Sequence, residues 1–118
     1  MTRKLKLAFT LLPVLLLAAP RAAFSQATTA GSLSGTITDP SGAVIPGATV
    51  TITKPDTGYT QTVTSSSAGG YIFPDLQAGQ YTLRVSAKGF SVAEVAPVLV
   101  LTGRALSLNV TMKVGAAT

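Results

Sequence analysis

Apolar and polar residues alternate along most of this chain with a period of two. Leu33, Gly35 and Ile37 fall on one face of a short run, with Ser34, Thr36 and Thr38 on the other. The alternation returns as Ala48, Val50 and Ile52 against Thr49, Thr51 and Thr53, and as Tyr59, Gln61 and Val63 against Thr60, Thr62 and Thr64. It is cleanest where Tyr81, Leu83, Val85 and Ala87 oppose Thr82, Arg84, Ser86 and Lys88. The last example sets Leu106, Leu108, Val110 and Met112 against Ala105, Ser107, Asn109 and Thr111. A period of two marks a strand with one buried face. Two runs are less regular. Tyr71-Ile72-Phe73 is a short fourth strand. A sixth strand lies within Ser91–Leu101, where Pro97 argues for an edge or a break. Val98-Leu99-Val100-Leu101 is apolar on both faces, which fits a covered central strand better than a surface awaiting a partner.

Turn residues punctuate these runs. Asp39-Pro40-Ser41-Gly42, Pro46-Gly47, Lys54-Pro55-Asp56-Thr57-Gly58, Pro74-Asp75-Leu76-Gln77-Ala78-Gly79 and Thr102-Gly103-Arg104 read as turns, and residues 65–70 as a loop. In such stretches Pro presets φ, Gly supplies positive φ and Asp bonds its own backbone. After the first residues no helical periodicity appears. The pattern predicts an all-β fold, a seven-stranded Greek-key β-sandwich.

The first 25 residues follow a different rule. Arg3, Lys4 and Lys6 precede an apolar run, Leu7 to Ala19, interrupted by Pro13 and followed by Arg21 and small residues. The run is shorter than the roughly 20 residues that span a bilayer. The layout is that of a secretory signal peptide cleaved after Ser25 rather than a retained membrane anchor. The predicted organisation is a signal peptide at 1–25, a flexible lead-in at 26–32, a sandwich at 33–113 and a tail at 114–118. The chain is therefore expected to be exported, to the periplasm or the outer membrane, with membrane association only through a partner.

The leader also explains the charge. The chain carries 9 Lys+Arg and 4 Asp+Glu, a net +5. Without the leader, Lys54, Arg84, Lys88, Arg104 and Lys113 face Asp39, Asp56, Asp75 and Glu94, a net +1. No basic stripe remains to bind nucleic acid. With no Cys, the domain folds without disulfides although exported, and its stability comes from its core.

His is absent as well. Ser-His-Asp and Cys-His mechanisms are thereby excluded, and so is the His-based zinc site of a metallopeptidase. Neither a phosphate-cradling glycine loop nor EF-hand spacing is present. Asp39, Asp56 and Asp75 read as turn residues. No catalytic residue, metal ligand or cofactor is expected. Tyr71, Phe73, Tyr81 and Phe90 read as core, which leaves Tyr59, beside the Thr57-Gly58 turn, as the exposed aromatic and the candidate ligand contact. Asn109-Val110-Thr111 matches a glycosylation sequon, but a strand position argues against its use.

Several linked pieces resemble the carboxypeptidase regulatory-like domain family, whose fold is a transthyretin-like (prealbumin-like) sandwich. They are Gly35-Thr36-Ile37-Thr38-Asp39, Gly42, Ile45-Pro46-Gly47-Ala48-Thr49-Val50, Thr57-Gly58, Gly69 with Tyr71 and Phe73, Leu76, Gly79 with Tyr81, and Gly89-Phe90. The resemblance covers about Leu33 to Lys113. The family often carries Asp or Asn where Ser66 stands, a departure that bears on turn geometry and cation contact in that loop. The wording around Asp39–Ala48 and the closing Leu108–Ala116 resemble the N-terminal domain of TonB-dependent outer-membrane receptors, ahead of plug and barrel. Both a free-standing module and a receptor piece fit. Related sandwiches also suggest two further features. One is a Lys–Asn isopeptide cross-link, for which Lys54, Asn109 and Glu94 are the sole set; alternation puts Asn109 on the polar face, against it. The other is polysaccharide binding. The expectation is a non-enzymatic accessory module acting on an envelope protein or a receptor's plug and barrel; the alternative is a carbohydrate-binding module.

Overall fold

The computed structural model describes residues 30–115. The expected signal peptide, the start of the lead-in and the last three residues of the tail lie outside the described residues. Eight strands follow one another: β1 (Ala30–Thr38), β2 (Thr49–Lys54), β3 (Tyr59–Thr64), β4 (Gly70–Gln77), β5 (Gly79–Ser86), β6 (Ala93–Val100), β7 (Ala105–Ser107) and β8 (Val110–Thr111). One sheet has the order β3-β2-β5-β6 and is antiparallel throughout. In the other, β1 lies between antiparallel β4 and parallel β7, and β8 resumes the parallel pairing with β1.

The alternation becomes the core. Leu33, Ile37, Phe73 and Leu76 of one sheet, with Met112 just past β8, meet Val50, Ile52, Leu83, Val85 and Val100 of the other, all buried. Burying a side chain of this size contributes about 1.5–3 kcal/mol. The polar positions form a threonine-rich outer face. There Thr51 and Thr62 pair across strands at 3.2 Å and Thr53 and Thr60 at 3.4 Å. Such pairs add about 0.2–1 kcal/mol each.

The fold is the expected all-β sandwich, with four differences of detail. First, β1 starts at Ala30, inside the expected lead-in, because Ala30 and Gly31 pair with Gln77 and Leu76. Second, β4 runs on to Gln77 through the expected turn, and Asp75 is an exposed strand residue. A register shift opposite Ser32 accommodates Pro74, which has no N–H to give a ladder. Third, β6 is an edge, not a covered central strand. Val98 and Val100 point inward, while Leu99 is 53% exposed. Pro97 sits where the β5–β6 register shifts, as its missing N–H requires. Fourth, the last expected strand is two, since the chain leaves the ladder at Leu108 and Asn109.

Candidate functional site

Tyr59 opens β3 opposite Lys54 of β2 and is 45% exposed. Its N–H donates to Thr57 Oγ1 at 3.3 Å and its hydroxyl to Gln61 Oε1 at 2.8 Å, which fixes the ring at the sheet edge. The ring shares a recess of about 140 Å³ with Asp75 and Gln77 of β4 and with Tyr81. Tyr81 is buried and donates to the Gln77 carbonyl at 2.6 Å. Burial raises its hydroxyl pKa, with the Lys54 ammonium opposing.

Lys54 supports this corner. It continues the inward alternation of Val50 and Ile52 and is itself buried. Its ammonium reaches both Asp56 carboxylate oxygens at 2.9 Å. Its stem lies over Gly79, where an added Cβ would come within 2.6 Å of Lys54 Cε. The rim thus presents one aromatic face, one carboxylate and one carboxamide. That set can stack on an apolar ring face and exchange hydrogen bonds with hydroxyls. The recess is well below the several hundred Å³ of an enclosing small-molecule pocket, so the site can act only as a rim contact.

The opposite side of the sandwich is open between β6 and β8. A cleft of about 380 Å³ runs between Ala93–Val95 and Val110–Thr111, with Asn109 and Lys113 in its walls. Val92 at its mouth is 49% exposed. Asn109 stands where β7 has ended and β8 has not begun, and its Oδ1 accepts the Thr36 N–H at 3.0 Å. A side-chain carbonyl thereby replaces a ladder carbonyl. Glu94 faces Arg84 at 3.7 Å, both exposed, a pair worth at most about 1 kcal/mol.

The three residues of the cross-link set therefore engage three different partners: Lys54 with Asp56, Asn109 with Thr36 and Glu94 with Arg84. Asp39 is structural. Asp39 Oδ1 accepts from the Ser41 hydroxyl and from the N–H groups of Ser41 and Ala43. The Ser41 hydroxyl first, with the backbone bonds, holds the Asp39 carboxyl below its ordinary range. Ser66 closes its turn by accepting the Ala68 and Gly70 N–H groups at 3.3 and 3.2 Å, so the hydroxyl supplies the acceptor a carboxylate would. Among the described residues no three acidic side chains cluster as a metal site would need. Of the sequence candidates, Tyr59 is exposed as read, and Tyr71, Phe73 and Tyr81 are core. Two roles escaped that reading, the inward Lys54 and the ladder-bridging Asn109. For Lys54 the signal was its place two residues after Ile52.

Comparison with known proteins places this geometry. The family model of the carboxypeptidase regulatory-like domain matches residues 32–113. Among solved structures, a protein from Bacteroides uniformis described as carbohydrate-binding shares 20% identity at TM-score 0.58, over 70% of this chain and 40% of the other. GBS52, the minor pilin of Streptococcus agalactiae, shares 13% at TM-score 0.61, over 76% and 47%. A chain of a type II cohesin–X-dockerin complex from Acetivibrio cellulolyticus shares 26% at TM-score 0.58, over 72% and 58%. In each case this chain spans less than two thirds of the other chain's length. No match was found among curated protein sequences. With the family match spanning nearly all the described strands, the chain belongs to the carboxypeptidase regulatory-like domain family.

Proposed function

We propose that the protein is an exported, non-enzymatic accessory module that works by contact, as the N-terminal part of a TonB-dependent outer-membrane receptor. The leader-like layout of residues 1–25 and the receptor-like wording of Asp39–Ala48 support export and context. The observation that carries the contact role is the open side between β6 and β8. Two strands that are sheet edges among the described residues, one from each sheet, flank it beside exposed Val92, and an edge strand is where an extended segment can add. The occupant that fits this reading is a segment of the receptor's own plug. A photo-crosslinking residue in place of Val92, with one in place of Thr60 on the threonine face as control, tests it in the producing cell. Adducts specific to position 92 that contain plug sequence support the reading. Equal labelling at both positions, or none at position 92, sinks it.

A second reading, carbohydrate binding, is favoured by one observation, the grouping of the Tyr59 ring with Asp75 and Gln77. The solved neighbour described as carbohydrate-binding shares the fold. On this reading residues 26–118 give specific signals on a polysaccharide array that Tyr59→Ala abolishes while leaving stability within about 0.5 kcal/mol of wild type. A flat array ends it.

A further inference from the structure

The chain enters and leaves the sandwich at opposite poles. β1 begins at Ala30 beside Gly103 and ends at Thr38 beside Thr111 and Met112. Because β7 and β8 run parallel to β1, the exit after Gly115 lies beyond the far end of β1. Pulling the segment before Ala30 away from the segment after Gly115 therefore slides β1 along the β7–β8 run. It does not peel one from the other. In that geometry the bonds between them bear load together.

Those bonds are regularly placed along the whole length of β1. The Gly103 N–H donates to Ala30 O at 2.9 Å, Ser32 to Arg104 O at 3.0 Å, Leu108 to Ser34 O at 2.8 Å and Met112 to Thr38 O at 2.7 Å. The one interruption, at Asn109, is closed by its side chain, which accepts the Thr36 N–H at 3.0 Å. Tyr71 adds a lateral lock by donating to Leu108 O at 2.6 Å from β4. Beyond β8 the chain is fastened to the β5–β6 connection as well, with Ser91 N–H donating to Lys113 O at 2.8 Å and Gly115 N–H to Gly89 O at 3.1 Å.

We infer that this sandwich is a load-bearing element, with β1 and the β7–β8 run forming a shear clamp for tension applied between the two ends of the domain. This goes beyond the contact role and does not depend on it, since the clamp is a property of the strands themselves.

The chain has no cysteine, so single-molecule handles can be attached wherever cysteines are introduced. Ala27→Cys with Ala117→Cys loads the clamp in shear. Ala27→Cys with Thr102→Cys pulls at one pole and opens the same bonds in sequence. The shear pair is expected to rupture at about twice the force of the unzipping pair or more, because the bonds must fail together. In the shear pair, Asn109→Ala lowers the rupture force and Asn109→Asp, which keeps the acceptor, restores it. In the unzipping pair, the first rupture is unmoved by Asn109→Ala. Equal forces in the two geometries, or a shear force indifferent to Asn109→Ala, would overturn the inference.

Discussion

Replacing Gly35 by alanine tests whether the C-terminal run is held as closely to β1 as the geometry requires. Gly35 occupies an inward position of β1. There a Cβ would fall on the Leu108 carbonyl oxygen, 2.6 Å from its carbonyl carbon and 2.9 Å from the Tyr71 hydroxyl. Backbone cannot retreat as a flexible side chain can, so the strand or the run must move. Overpacking of this kind costs about 1–3 kcal/mol. Displacing Leu108 also strains its N–H bond to Ser34 O and the bond it accepts from Tyr71, at about 1 kcal/mol each. The expected loss is about 3–5 kcal/mol, a large share of the roughly 5–15 kcal/mol a small domain possesses. Urea unfolding of residues 26–118 should show the midpoint falling with the m-value unchanged. Thermal unfolding should drop by roughly 12 °C or more, at about 4–8 °C per kcal/mol. Gly42→Ala is the control: its φ of 91° is strained for alanine but nothing lies within 4 Å, so the cost is about 1–2 kcal/mol. A Gly35→Ala loss no larger than that of Gly42→Ala would refute the close-approach argument.

Ser65→Ala should cost about 1–3 kcal/mol in urea unfolding, because the buried hydroxyl accepts from Ala48 N–H and donates to Ile45 O, both at 2.8 Å. Burial pushes the Tyr71 hydroxyl up to about 12 from 10.0. The folded state therefore holds this proton more tightly, and the contribution is intact below pH 10 and lost as pH rises toward 12. Urea midpoints should fall across that window, and Tyr71→Phe should flatten the fall. Lys54→Met keeps the stem over Gly79 and leaves Asp56 to water, so it should cost at most about 1 kcal/mol. Lys54→Ala also loses the stem and should cost about 1–2 kcal/mol more by the same assay.

The buried faces were legible because side-chain alternation is a local property. Val50, Ile52, Leu83 and Val85 each declare a face through their neighbours, whatever strand lies beside them. Partnership is not local. Val98–Leu101 reads as doubly covered by its apolar residues alone, yet among the described residues β6 pairs with a strand on one side only. Leu99 is apolar and exposed because an outward edge position tolerates it. Pro97 carried the better signal, since a residue without an N–H points to an edge. Likewise Pro74 and Asp75 read as a turn by composition, but Leu76 two residues on still had a core place to fill, and the strand continued to reach it.

The candidate sites show the same division more sharply. Exposure of Tyr59 follows from its place beside a turn, so the sequence could single it out. Its grouping with Asp75 and Gln77 depends on β4 running past its expected end, which no local pattern states. Asn109 is the clearest case. Alternation correctly places it outward, and an outward asparagine in a strand reads as a solvated residue. What gives it a role is the break at Leu108, and the break exists because Gly35 admits the Leu108 carbonyl where any side chain would exclude it. A glycine inside a strand is the sequence's mark of such an approach. It says that some backbone comes close, and only the parallel return of β7 and β8 says which.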